Sequence, residues 1–176
     1  MRNIICYVLI IIISIRCSES KSDNHDKEIF SIKDIKKSIN KKEESSIILI
    51  IQIDKDSIKE SEFMYDTISK QKEGLARLYY KNGHLRQVGM WHKDRQQGVW
   101  KFYDKDGTIF SEISFVDDKQ DGLSVFYNNQ GIVIEKTNWK NGKINGYATE
   151  YYDNGKTKRV TIWDYGVKVG EKKYPK

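Results

Sequence analysis

The chain has 176 residues, of which 32% are charged and 38% apolar, and it carries a formal net charge of +6. That length allows one domain with extensions, and because much of the apolar share sits in an isoleucine-rich N-terminus, the remainder is too polar for a thick two-layer core. Lysines are spread along the chain rather than clustered, which speaks against nucleic acid as a partner. The only cysteines are Cys6 and Cys17, so everything after them lacks both a disulfide framework and a thiolate zinc site.

In chain order, the first element is an address. "MRNIICYVLIIIISIRCSES" opens with Arg2 and continues as an apolar run from Ile4 to Ile15. The run is shorter than the roughly 20 residues a helix needs to cross about 30 Å of hydrocarbon. It fits the hydrophobic region of a secretory signal. It ends at Cys17, where a polar stretch begins, and so resembles a bacterial lipoprotein signal. That resemblance implies that Cys17 is lipidated and becomes the first mature residue. Arg16 departs from the pattern, which has a small residue there; ordinary secretion or an uncleaved anchor are the alternatives. Residues 1–17 are thus a lipoprotein-type signal segment. Acyl chains on Cys17 would tether the protein to a membrane, each buried methylene contributing about 0.8 kcal/mol. The expected location is exported, at the cell envelope.

Residues 18–46 read as a tether and a short helix. Residues 18–28 are too polar to pack. "SIKDIKKSIN" at Ser31–Asn40 begins with an S-x-x-D capping pattern and places Ile32, Ile35 and Ile39 on one helical face. Residues 47–73 read as a degenerate capping hairpin of the kind repeat arrays use at their ends. "IILIIQIDKDS" aligns with "VWKFYDKDG" at Val99–Gly107 through the shared "DKD", with Ile53 in the tyrosine place and Ser57 in the glycine place.

The remainder, residues 74–176, is periodic. Gly74, Gly98, Gly122, Gly146 and Gly170 lie 24 residues apart. Gly83, Gly107, Gly131 and Gly155 keep the same spacing, as do Tyr79, Tyr103, Tyr127 and Tyr151, and Trp91, Phe115, Trp139 and Trp163. Several series in one phase signal a repeat array. Each unit reads as a strand, a turn such as "KDG" or "DNG", a second strand, and a second turn centred on Asp94, Asp118, Gly142 or Gly166. Gly and Asp tolerate the positive φ that such turns require. The expected fold is an all-β repeat, an extended antiparallel meander of β-hairpins. Strand alternation is expected to place the tyrosines and the terminal Trp or Phe on one face, packing on each other, with Leu78, Phe102, Phe126 and Glu150 opposite. At the far end, "EKKYPK" brings lysines and Pro175, which discourage edge pairing.

The unit, roughly G-x-W-x-x-Y-x-x-x-G followed by a strand and a glycine turn, resembles MORN repeats, and most closely the variant in bacterial YwqK-type antitoxin proteins. "GVWKFYDKDG" at Gly98–Gly107 is the best copy; Gly74, Gly122 and Gly146 lack the tryptophan two residues on. The resemblance implies an elongated antiparallel sheet of about 24-residue MORN-like units, no catalytic machinery, no cofactor, and a binding role.

The chemistry-bearing residues agree with that expectation. His84 and His92 lie in one hairpin, where they could approach each other, but recur in no other unit. "DKDG" at Asp104–Gly107 lacks the spacing of a calcium loop and reads as a turn. Asp117 and Asp118 fall in an exposed turn, where nothing would raise a pKa for acid catalysis. The candidate site residues are therefore the aromatic columns Tyr79, Tyr103, Tyr127 and Tyr151, and Trp91, Phe115, Trp139 and Trp163, as cover for the sheet or as contact anchors. The expected function is non-enzymatic binding of another protein by a membrane-tethered array. Neutralising a toxic enzyme, or a structural envelope role, are the alternatives.

Overall fold

The structure, a computed structural model, describes residues 8–11, 47–53 and 58–176. The lipidation expected at Cys17, the expected tether, the helix expected at Ser31–Asn40 and the "DKDS" turn all lie outside the described residues. Among the described residues there is no helix.

Twelve strands form one sheet whose spatial order is the chain order, every neighbouring pair antiparallel. They are β1 (Val8–Ile11), β2 (Ile47–Ile53), β3 (Lys59–Asp66), β4 (Gln71–Tyr79), β5 (Leu85–His92), β6 (Arg95–Tyr103), β7 (Ile109–Val116), β8 (Lys119–Tyr127), β9 (Val133–Lys140), β10 (Lys143–Tyr151), β11 (Thr157–Asp164) and β12 (Val167–Lys173). The expected all-β meander is therefore what forms. One feature was not expected: Val8–Ile11, part of the apolar run, pairs with Leu49–Gln52 of β2. β-Branched residues in both segments suit such a pairing.

Two kinds of turn alternate. At one margin lie five-residue loops such as Asp104–Thr108, where the Asp104 N–H donates to Thr108 O and the Gly107 N–H to Asp104 O. Gly107 closes the loop at a φ of 90°, open to glycine but strained for a side chain. At the other margin lie two-residue turns, Lys93–Asp94, Asp117–Asp118, Asn141–Gly142 and Tyr165–Gly166. Both residues of each have positive φ, from 43° at Tyr165 to 92° at Gly166, the signature of type I′ hairpins.

Lys93 and Tyr165 are unfavourable residues for that conformation, and the preceding hairpin holds them in it. The side chains of Glu73, Gln97, Asp121 and Asn145 accept the backbone N–H of Lys93, Asp117, Asn141 and Tyr165 at 3.0–3.3 Å. The N–H of Asp94, Asp118, Gly142 and Gly166 donates to the carbonyl of Lys72, Gln96, Gln120 and Ile144. Asp94 and Asp118 return the bond through their carboxylates, to the N–H of Lys72 and Gln96 at 2.8 and 2.7 Å. Each turn is thereby tied to the unit before it.

The sheet corrects the expected placement of the aromatic columns. Tyr103 lies opposite Ile109, but Phe102 lies opposite Ser111, so Phe110 is an extra residue. The same shift recurs at Leu78/Tyr79, Phe126/Tyr127 and Glu150/Tyr151. One inserted residue moves every later side chain of that strand to the other face. Trp91, Phe115, Trp139 and Trp163 therefore share a face with Leu78, Phe102, Phe126 and Glu150, and the four tyrosines stand on the opposite face.

The fully buried apolar residues are few. Ala76 and Trp100 are the buried apolar side chains among the described residues, Trp100 at 0% exposure, together with Ser111, Ser124 and Thr137. All lie on the tryptophan face. Trp100 crosses the backbone of Gly89, where any Cβ would overlap its indole ring, and it meets Trp91 edge-on at 5.3 Å between ring centroids. Its Nε1–H donates to Met90 O.

Candidate binding surface

The tyrosines sit in a row of charges. Tyr79 donates its hydroxyl to Glu62 at 2.8 Å, and Lys59 and Arg77 reach the same carboxylate at 3.1 and 3.0 Å. Burial pushes the Glu62 carboxyl up, but the bonds from Tyr79, Lys59 and Arg77 outweigh it and hold the group below the usual carboxylate range. Burial, then the bond to Glu62, raises the Tyr79 phenol. Lys101 pairs with Glu112 at 3.1 Å, and burial followed by the Glu112 charge raises Tyr127 beside them. Lys59 lies over the Tyr79 ring at 4.3 Å and Lys136 over Tyr151 at 5.9 Å. All four tyrosines are half-buried. Their rings pack under the charged row rather than standing free.

What this face does expose is a neighbouring apolar stripe, one that the aromatic columns had obscured. Positions 75, 99, 123 and 147 carry Leu75, Val99, Leu123 and Tyr147, and their register partners are Met90, Ser114, Asn138 and Ile162. Met90, Val99, Leu123, Tyr147 and Ile162 are all exposed, Val99 at 51% and Tyr147 at 58%. The polar members turn inward: Ser114 Oγ donates to Leu123 O and Asn138 Nδ2 to Tyr147 O. From β5 to β11 the stripe thus exposes apolar side chains on five of seven strands, while the Ser114 and Asn138 side chains on the other two are engaged with backbone carbonyls. Its signal in the sequence is the 24-residue spacing of those four positions, a further series in the same phase.

The tryptophan face is different. Trp91, Phe115, Trp139 and Trp163 are half-buried. Lys72 covers Trp91 at 4.6 Å from the ring centre, and Trp163 donates to Thr161 Oγ1 at 2.8 Å. Arg159 donates through both Nε and Nη2 to one oxygen, Oε1, of Glu150. The expected packing of tyrosines on tryptophans does not occur, because the sheet lies between them.

The remaining chemical candidates separate. His84 and His92 flank the two ends of β5; His84 Nδ1 contacts Lys105 O at 2.7 Å, and His92 Nδ1 contacts Glu73 at 2.8 Å. That contact, with the Lys93 N–H, lowers the Glu73 carboxyl. Asp106 accepts from the Thr108 N–H within its loop. Among the described residues no group of three His, Cys, Asp or Glu side chains is placed to hold a metal ion, and no helix is long and apolar enough to cross a membrane.

A family of MORN repeat variants matches residues 72–93, 96–117 and 144–163. Those three segments are similar to MORN repeat variants. Each matched segment spans one hairpin joined by a five-residue loop: β4–β5, β6–β7 and β10–β11. The intervening hairpin, β8–β9, falls outside the match yet pairs in the same register, with the same bulge. No curated protein matches the chain.

Proposed function

We propose that this protein is a non-enzymatic binding module that docks another protein on the tyrosine face of its sheet, along the stripe Met90, Val99, Leu123, Tyr147 and Ile162. The exposure of that stripe carries the reading. An exposed apolar stripe on an otherwise charged surface is the usual mark of an interaction site, and among the described residues no second layer covers it. Repeats of this family are often protein- or membrane-binding modules, which supports the same view. The apolar run ending at Cys17 supports export and lipid tethering, which would hold the array at the envelope surface with its faces open to partners.

The test is a paired capture from native envelope extract with the tagged chain. The protein retained by the wild type is expected to be lost with Val99→Lys and Leu123→Lys, while both variants keep the wild-type circular dichroism. A partner retained equally by both variants would refute docking on this stripe. The activity of the captured protein decides whether neutralising a toxic enzyme, a narrower form of this role, applies. Tethering is checked separately: Cys17→Ser should abolish incorporation of labelled fatty acid.

A further inference from the structure

The two ends of the sheet are built differently. β12 carries Lys168, Lys172 and Lys173, and Pro175 follows it. Charges and proline on an edge strand oppose further pairing. β2, "IILIIQI", has no charge at all. Among the described residues its outer side is paired by β1 alone, over Leu49–Gln52.

β2 also reads nearly the same in both directions about Ile50. Set antiparallel to a copy of itself, it would place Ile50 opposite Ile50, Leu49 opposite Ile51, Ile48 opposite Gln52 and Ile47 opposite Ile53. Every residue of the strand is then paired, and Gln52 is the single polar residue type involved. β1 brings four residues to this edge, whereas a second β2 would bring seven. We propose that β2 is a homodimerisation edge, pairing with the β2 of a second copy across a two-fold axis through Ile50, and that β1 blocks this edge while it is present.

The geometry of such a pair is closed. Ile48, Ile50 and Gln52 lie opposite Tyr65, Phe63 and Ser61, and Ser61 Oγ donates to Gln52 at 2.7 Å. Residues of equal parity meet across the axis, so each face of one copy continues into the same face of the other. An isologous contact of this kind stops at two copies, whereas β2 on β12 would run on without end; the lysines of β12 resist that alternative. β1 lies inside the segment read as a leader, so processing before Cys17 would remove the block. The dimer itself does not rest on the docking stripe, which lies strands away.

The test uses the chain from Ser18 onward, which lacks β1 and both cysteines. Strand order follows chain order without a crossover, so removing β1 takes away only its pairing with β2, as in other nearest-neighbour arrays. Sedimentation equilibrium should show a dimer. Ile50→Lys and Ile50→Glu should each be monomeric, because like charges would face each other on the axis, and mixing the two should restore the dimer. Ile50→Cys should cross-link to a disulfide dimer under mild oxidation, since opposed residues of a strand pair lie within disulfide reach, while Tyr147→Cys should not. This readout stands even if the charged variants fail to fold. The full chain under reducing conditions should be monomeric. A monomer from Ser18 onward at every concentration, dimers that survive both charge variants, or equal cross-linking at positions 50 and 147 would overturn the self-pairing. A full chain that dimerises as strongly would overturn the block by β1.

Discussion

The two faces of this sheet are made from the same 24-residue unit and do opposite things. On the tryptophan face, large and small residues alternate so that Trp100 lies across Gly89 and against Trp91, and the buried Ser111, Ser124 and Thr137 follow in the strands beyond. On the tyrosine face, phenols are drawn under a row of ion pairs and a line of aliphatic side chains is left in water. The difference teaches how the described strands cohere with no second layer among them. Burial comes from neighbours within one face, and a recurrent one-residue bulge directs the large apolar residues there. The other face is then free to differ from unit to unit.

The sharpest way to break the comparison is at its most buried point. Trp100→Ala should destabilise the fold by about 3–5 kcal/mol, the usual cost of deleting a buried large aromatic, read by urea denaturation. Gly89→Ala attacks the same contact from the other strand. A methyl group there overlaps the indole, and overpacking of this kind costs about 1–3 kcal/mol. A smaller effect is expected at the turn margin. Asp118 combines a φ of 66° with a bond to the Gln96 N–H, so Asp118→Ala should cost about 1 kcal/mol. Asp118→Gly, which accepts the backbone shape and loses only the bond, should cost less; thermal unfolding of the pair separates the two contributions.

The tyrosine face has a pH signature of its own. Glu62 titrates below its ordinary range when folded, so its stabilising contribution is present above the unfolded-state value and is lost as pH falls through the depressed folded value. Acid denaturation followed in parallel should show wild type and Glu62→Gln converging over that window. Divergence there would mean that the Tyr79–Glu62 bond does not act as described.

The repeat, the hairpins and the positive-φ turns were legible in the sequence because glycine and aspartate mark each of them at a fixed period. The assignment of faces was not. Alternation from Ile109 onward would place Phe115 beside the tyrosines; the extra residue at Phe110 reverses that, and nothing in its side chain announces a bulge. Trp100 as the most buried residue was equally hidden, since it occurs in one unit only and owes its burial to Gly89 on the next strand. The exposed stripe was written in the same 24-residue phase as the aromatic columns, but positions that vary among Leu, Val and Tyr make a weaker pattern than positions that are aromatic in every unit. The pairing of Val8–Ile11 with β2 was illegible because that segment also satisfies the simpler pattern of a leader.

The most direct test of the division between faces is a side-by-side measurement of melting temperature and partner capture for Leu123→Lys and Trp139→Ala. Leu123→Lys should keep a stability within about 0.5 kcal/mol of the wild type, as surface substitutions do, and so melt close to it while losing the partner. Trp139→Ala should melt well below it, and at temperatures where it stays folded it should still bind. A Leu123→Lys variant that melts as low as Trp139→Ala, or that binds as the wild type does, would contradict a sheet that coheres through one face and docks through the other.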